Sequence, residues 1–146
     1  MTGLTFVDTN ILVYARDAGE PAKQARAMDV LRVLWKSRLG RVSQQVLQEY
    51  YVTVTRKLKP GLPKEEARDD IAALLAWRPL APSGSTLSKA WEIEDRFGLT
   101  WWDSLIVAAA LANRCNLLLS EDLQDGQQID GLRIQNPFAP GFDFTV

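Results

Sequence analysis

Apolar residues along the chain fall into alternating short runs and longer periodic stretches. Leu4-Thr5-Phe6-Val7 is a short apolar run and reads as a buried strand ending at Asp8, after which Thr9-Asn10 start a helical run, Ile11 to Ala15. Pro21 opens a longer helix to about Arg38. Its spacing, Ala25, Met28, Leu31, Leu34 and Trp35, predicts an apolar face, and Gly40 is expected to stop it. Arg41-Val42-Ser43 is a second strand candidate. A third helix is expected from about Gln44 to Leu58, ended by Pro60-Gly61, and Pro63 opens a fourth to about Trp77. Residues 78–80 are a weak strand candidate. Ser85 to Phe97 reads as a helix closed by Gly98, and Trp102 to Asn113 as a very apolar and therefore buried helix. Leu117-Leu118-Leu119 and Leu132 to Gln135 read as strands.

Strands alternating with helices predict an α/β fold: one domain spanning residues 1–146, with a mainly parallel sheet of about four to five short strands flanked by helices. A chain of this length buries roughly 70% of its unfolded surface, enough for a core without staples. Apolar residues make up 47% of the chain, which marks a globular protein. The longest apolar run is far short of a membrane span. No basic segment precedes the first apolar stretch, and the single cysteine excludes an internal disulfide. These features predict a cytoplasmic protein with no membrane partner.

The absence of histidine narrows the chemistry most. It excludes a Ser-His-Asp triad, a Cys-His pair, an HExxH zinc site and histidine-based RNA cleavage. Carboxylates, hydroxyls, amines or a bound metal must do any chemistry. The net charge of −1 is not that of a general nucleic-acid binder, so any RNA contact needs a local basic cluster. Arg56, Lys57, Lys59 and Lys64, after the Glu49 helix, are the candidates.

Four acids occupy special places. Asp8 follows the first strand directly, and Asp122 follows Leu117-Leu118-Leu119 after Ser120 and Glu121. Both would lie beyond the carboxyl ends of their strands, where open α/β sheets bind ligands, and they converge if the strands are neighbours. Asp103 begins the apolar Trp102–Asn113 helix, where the helix dipole favours a carboxylate. Glu49 lies about 60° beyond the apolar arc of its helix at about 100° per residue. Taken singly, each has an ordinary reading as a cap, turn or solvated acid. Together, in a chain without histidine, they suggest a site. Four close carboxylates repel one another, and a hard divalent cation, Mg²⁺ or Mn²⁺, is the natural neutraliser for oxygen ligands.

Four motifs carry a family resemblance. Phe-Val-Asp-Thr-Asn-Ile-Leu-Val-Tyr-Ala (6–15) resembles the opening of a PIN domain. Gln-Val-Leu-Gln-Glu-Tyr-Tyr (45–51) resembles its acidic helix, and Trp-Asp-Ser-Leu-Ile-Val-Ala-Ala-Ala (102–110) its third acidic motif. Leu-Leu-Ser-Glu-Asp-Leu-Gln-Asp-Gly (118–126), followed by Asn-Pro-Phe (136–138), resembles its fourth motif and end. Size and closing motifs are most similar to VapC toxins of toxin–antitoxin modules. The resemblance implies a Mg²⁺- or Mn²⁺-dependent endoribonuclease acting on structured RNA such as tRNA or ribosomal RNA. It also implies a homodimer and a VapB-type antitoxin partner. By the same resemblance Asp8, Glu49, Asp103 and Asp122 are the catalytic acids. Among these metal-site acids, Asp8, Asp103 and Asp122 are expected to hold the metal directly or through water, and Glu49 to orient or deprotonate the attacking water. Thr9, Asn10 and Ser120 match supporting polar positions, and Asp125 is a further supporting acid.

Other classes make other demands. An aspartyl-nucleophile phosphatase needs a second acid where Asn10 stands. A phospho-receiver domain needs an acid pair near the first strand and a late lysine. A PIN-like binding module without catalysis and a related DNA-directed nuclease remain alternatives.

Overall fold

The computed structural model describes residues 3–144. Among these residues five strands form one sheet in the order β2-β1-β3-β5-β4: β1 (Thr5–Val7), β2 (Gly40–Arg41), β3 (Leu117–Leu119), β4 (Gln128–Ile129) and β5 (Leu132–Gln135). All pairings are parallel except β4 with β5. The expected mainly parallel α/β architecture is therefore present. The central strands β1 and β3 are three residues long and wholly buried, which is why they read as continuous apolar runs. Among the described residues six α-helices flank the sheet: α1 (Thr9–Tyr14), α2 (Pro21–Ser37), α3 (Gln44–Val52), α4 (Lys64–Leu74), α5 (Gly84–Phe97) and α6 (Trp101–Ala112). Among the described residues no helix is long and apolar enough to cross a membrane.

Register positions the site. Val7 pairs with Leu119, so Asp8 and Ser120 emerge side by side from neighbouring strands. The ladder continues one step beyond each strand: the Asp8 amide donates to Leu119 O at 3.0 Å and the Ser120 amide to Gln135 O at 3.0 Å. Helix α6 buries Ser104 and Ile106 to Ala110, and its alanines permit close packing.

Several boundaries differ from the expectations. The third helix does not run to Leu58 as a single α-helix. It ends at Val52 and continues as one π-type turn, Thr53–Lys57. The Thr55 hydroxyl donates to Tyr51 O at 2.6 Å, and β-branched Thr53, Val54 and Thr55 crowd a regular helix. Gly40 does not cap α2. Arg38 takes the left-handed conformation there (φ 63°), and Gly40 enters β2, where an added Cβ would meet the Trp77 ring at 2.7 Å. The inward face of α2 is Ala27, Val30 and Leu34. Ala25 is exposed, and Met28 and Trp35 are 45% and 40% exposed. Leu31, Met28 and Trp35 instead line a surface groove. The second strand is Gly40–Arg41, and the weak candidate at 78–80 contributes one isolated bridge, Leu80 to Ser43. The antiparallel β4 falls outside the expected strands, since two residues carry too little pattern.

Candidate active site

Asp8 is the N-cap of α1 and the most enclosed acid of the group, 6% exposed. Both carboxylate oxygens are occupied. Oδ1 accepts from the Thr9 amide at 2.7 Å, and Oδ2 accepts from the Ser120 hydroxyl at 2.7 Å. Burial pushes its pKa up to about 7, despite those two hydrogen bonds, and the charges of Asp122 and Glu49 push the same way. An acid at a strand end, wrapped by donors and still hard to ionise, is an electrostatic strain point.

Asn10 sits between the acids. Its Nδ2 donates to Asp122 Oδ2 at 3.2 Å, with longer contacts to Asp8 Oδ2 at 3.4 Å and Ser120 Oγ at 3.5 Å. Its Oδ1 accepts from the Glu121 amide at 3.2 Å. One side chain thus ties the turn after β1 to the turn after β3. Ser120 adds a second tie, accepting from the Asp122 amide at 3.2 Å while donating to Asp8. Glu49 is exposed on α3, and the Thr9 hydroxyl reaches it at 3.2 Å.

Asp103 lies in the first turn of α6, behind the N-cap Thr100, whose hydroxyl accepts from the Asp103 amide at 3.1 Å. Partial burial raises its pKa, the Thr100 bond opposes this, and the charge of Asp122 adds to the rise. Asp122 is therefore close enough to act on both Asp8 and Asp103. Hydrogen bonds through Thr9 and Asn10 link Asp8, Glu49 and Asp122, while Asp103 is connected to them by the charge of Asp122 alone.

Among the described residues no group of three or more acids is spaced to enclose an ion. The donor chemistry nonetheless suits a hard divalent cation: every side-chain donor is oxygen apart from the Asn10 amide, and the Asp8 anion, disfavoured chiefly by burial and further by the charges of Asp122 and Glu49, would be stabilised by a cation. Asp125 stands apart, its Oδ1 accepting from the Asn136 amide at 2.9 Å and so pinning the loop to the C-terminal segment. Arg56, Lys57, Lys59 and Lys64 are exposed around and beyond the π-type turn and form no ion pair among the described residues.

Three residues beside the site, Glu121, Tyr14 and Lys23, lie outside the sequence-based expectations. Glu121 turns away from the acids, its Oε1 accepting from the Tyr14 hydroxyl at 2.8 Å and its Oε2 from Lys23 Nζ at 2.5 Å. The alternation Ser120-Glu121-Asp122 is a hint that Glu121 faces elsewhere, but Lys23 lies 98 residues away in the chain.

A short, mostly parallel α/β sheet with a carboxylate cluster at the carboxyl ends of its two central strands defines a class of acidic-site proteins. The chain belongs to the PIN domain family, whose model matches residues 5–127. Its fold is shared with a chain of a toxin–antitoxin complex from Klebsiella pneumoniae, with a TM-score of 0.67 and 17% identity, covering 92% of this chain and 98% of that one. It is also similar to VapC20 of Mycobacterium tuberculosis, a sarcin–ricin loop cleaving toxin, with a TM-score of 0.62 and 22% identity over 81% and 91% of the two chains. A chain of VapBC2 from Rickettsia felis, bound to a fragment of its promoter DNA, matches with a TM-score of 0.59 and 20% identity over 91% and 98%. A comparison with curated proteins finds no match.

Proposed function

We propose that this protein is a divalent-metal-dependent endoribonuclease, the toxin of a type II toxin–antitoxin module, acting on structured RNA such as tRNA or ribosomal RNA. The observation that carries this reading is the meeting of Asp8, Asp122 and Glu49 through Asn10 and Thr9, with Asp103 within electrostatic reach of Asp122. The family match and the toxin structures that share the fold support it.

Asp8, Asp103 and Asp122 are the residues that would hold Mg²⁺ or Mn²⁺. When bound, such an ion supplies charge neutralisation and polarises water and a phosphoryl oxygen. Glu49, exposed and steadied by Thr9, accepts the proton of the attacking water. Ser120 and the Thr9 amide hold Asp8 in one orientation. Asn10 keeps the two strand-end turns at fixed separation. Arg56, Lys57, Lys59 and Lys64 meet RNA phosphates. Attack by water leaves a 5′-phosphate and a 3′-hydroxyl.

Two surfaces fit the partners such a toxin requires. A groove of about 500 Å³ beside α1, α2 and α4, lined by apolar Leu12, Met28, Leu31 and Trp35 and by charged Arg16, Arg32 and Asp70, suits an amphipathic helix of a VapB-type antitoxin. Exposed Trp91 and Trp102, at 55% and 63%, are the aromatics we assign to contact with a second copy of this chain, since aromatics are enriched at interfaces. Cleavage of RNA and DNA with Mn²⁺, with and without EDTA, tests the reading. RNA cut only with Mn²⁺, leaving 5′-phosphate ends, supports it. Ends carrying 2′,3′-cyclic phosphate, or cleavage indifferent to EDTA, overturn it.

A further inference from the structure

Glu121 lies directly between two residues of the acidic site, yet its carboxylate is fully engaged on the other side of the loop. Lys23 Nζ, from the first turn of α2, donates to Oε2 at 2.5 Å and to the Tyr14 hydroxyl at 3.3 Å, while that hydroxyl donates to Oε1 at 2.8 Å. The ammonium also sits over the rings of Tyr14 and Phe138, 4.7 and 5.5 Å from their centroids. Those two rings meet edge to face at 5.0 Å. The backbone on the inner side is held too, by the Glu121 amide on Asn10 Oδ1.

Three consecutive side chains therefore have three separate tasks. Ser120 points to Asp8, Glu121 to the Lys23–Tyr14 pair, and Asp122 to Asn10 and the acids. Rotation of the loop about its own axis would have to break the Glu121 bonds first.

We infer that Glu121, clamped by Lys23 and Tyr14, is a positioning residue that sets the placement of Asp122 and with it the affinity of the acidic site for a divalent cation. This rests on the metal-dependent reading of that site. Residues that orient a metal's ligands commonly change its affinity by about 10- to 100-fold when removed.

The test compares wild type with Lys23→Met, Lys23→Arg and Glu121→Gln, each checked by circular dichroism. Mn²⁺ binding is measured by calorimetry, and the Mn²⁺ concentration for half-maximal RNA cleavage is measured alongside. Lys23→Met and Glu121→Gln are expected to need about tenfold more Mn²⁺, with the rate at saturating Mn²⁺ within about twofold of wild type. Lys23→Arg, which keeps the charge and a donor, is expected to restore most of the affinity. Wild-type Mn²⁺ affinity in folded Lys23→Met and Glu121→Gln overturns the inference, as does a loss confined to the saturating rate or to the KM for RNA. Glu121→Gln keeps the side-chain shape and decides the matter if Lys23→Met fails to fold. A wild type that binds Mn²⁺ but cuts no RNA defeats the nuclease reading alone, since the Mn²⁺ comparison among variants still stands.

Discussion

Two carboxylate clusters in this protein are built on opposite principles. On the surface, Asp130 and Glu92 meet Lys89 and Arg96: Lys89 reaches Asp130 at 2.7 Å, Arg96 reaches it at 3.1 Å, and both bases also reach Glu92. The Arg96 guanidinium and the Lys89 ammonium pull the Asp130 pKa down to about 2. At the sheet edge, Asp8, Asp122, Asp103 and Glu49 form no ion pair with a basic side chain among the described residues, and Asp8 is driven the other way, to about 7. The surface cluster fastens α5 to the turn between β4 and β5. The edge cluster also caps α1 and ties two turns, but through neutral donors alone, the Thr9 amide, the Ser120 hydroxyl and the Asn10 amide, so no basic side chain balances its charge. Natural folds keep such unrelieved charge where function requires it.

Removing the central charge should break the contrast most sharply. Asp8→Asn keeps the shape and an acceptor for Ser120 but deletes the carboxylate. RNA cleavage in Mn²⁺ is expected to fall by about a hundredfold or more. The same substitution is expected to raise the melting temperature of the EDTA-treated protein at pH 8. Loss of activity together with a lower melting temperature would mean that Asp8 supports the fold rather than the chemistry.

The pH dependence of stability should run in opposite directions for the two clusters. Asp8 has a folded pKa of about 7, above its unfolded value near 4, so between these values the folded state holds a proton that the unfolded state has lost. Its stability contribution is intact below about pH 4, is lost as pH rises through 7, and levels off above. A rise of that size corresponds to about 4 kcal/mol as an upper bound. Denaturant titrations in EDTA from pH 5 to 8 should show this decline for wild type and a flatter profile for Asp8→Asn. Mn²⁺ should restore the stability above pH 7. A wild-type profile as flat as that of Asp8→Asn would contradict the strain assigned to Asp8.

The fold was legible where its central strands are buried on both faces and where a helix carries a clear stop. Leu117-Leu118-Leu119 and Leu132–Gln135 have no competing reading, and Gly98 closes α5 as expected, in the left-handed conformation. The second helix misled because Met28 and Trp35 are apolar yet face a groove, so the 3.6-residue pattern shows two apolar stripes where the core uses one. At the site, strand-end logic set Asp8 and Asp122 beyond the ends of neighbouring strands, because register is local to β1 and β3, whereas Ser120 beside Asp8 was expected only from the family resemblance. The roles of Asn10 and Glu121 were not legible to the same degree. Asn10 reaches residues 110 and 112 positions away and Glu121 one 98 away, and no periodicity reports such pairs.

On the proposed function, RNA would bring its charge to an acidic edge, so cations not tied to neighbours matter most. Arg56, Lys57, Lys59 and Lys64 fit that condition, whereas Lys89 and Arg96 are consumed by Asp130. Replacing the first four with glutamine should weaken RNA binding severalfold at low salt. It should also flatten the dependence of log K on log salt by about 0.7 for each phosphate no longer neutralised. A slope equal to that of wild type, measured by fluorescence anisotropy, would remove this cluster from the interface.

The smallest effect is expected where acids and bases already match. Asp130→Asn removes one partner from an exposed network whose bonds are screened by water, so Mn²⁺-dependent cleavage should stay within about twofold of wild type. The Asp130 pKa is lowered in the folded state, so its contribution is present above about pH 4 and fades as pH falls toward 2. The variant should therefore melt slightly lower than wild type at neutral pH, and the gap should close on acidification, opposite in sign to the Asp8 profile. Added salt should narrow the gap at neutral pH as well, because the deleted bonds lie on the surface. A large loss of cleavage in Asp130→Asn would mean that the α5 network acts on the acids at the sheet edge, and the two clusters could no longer be treated as independent.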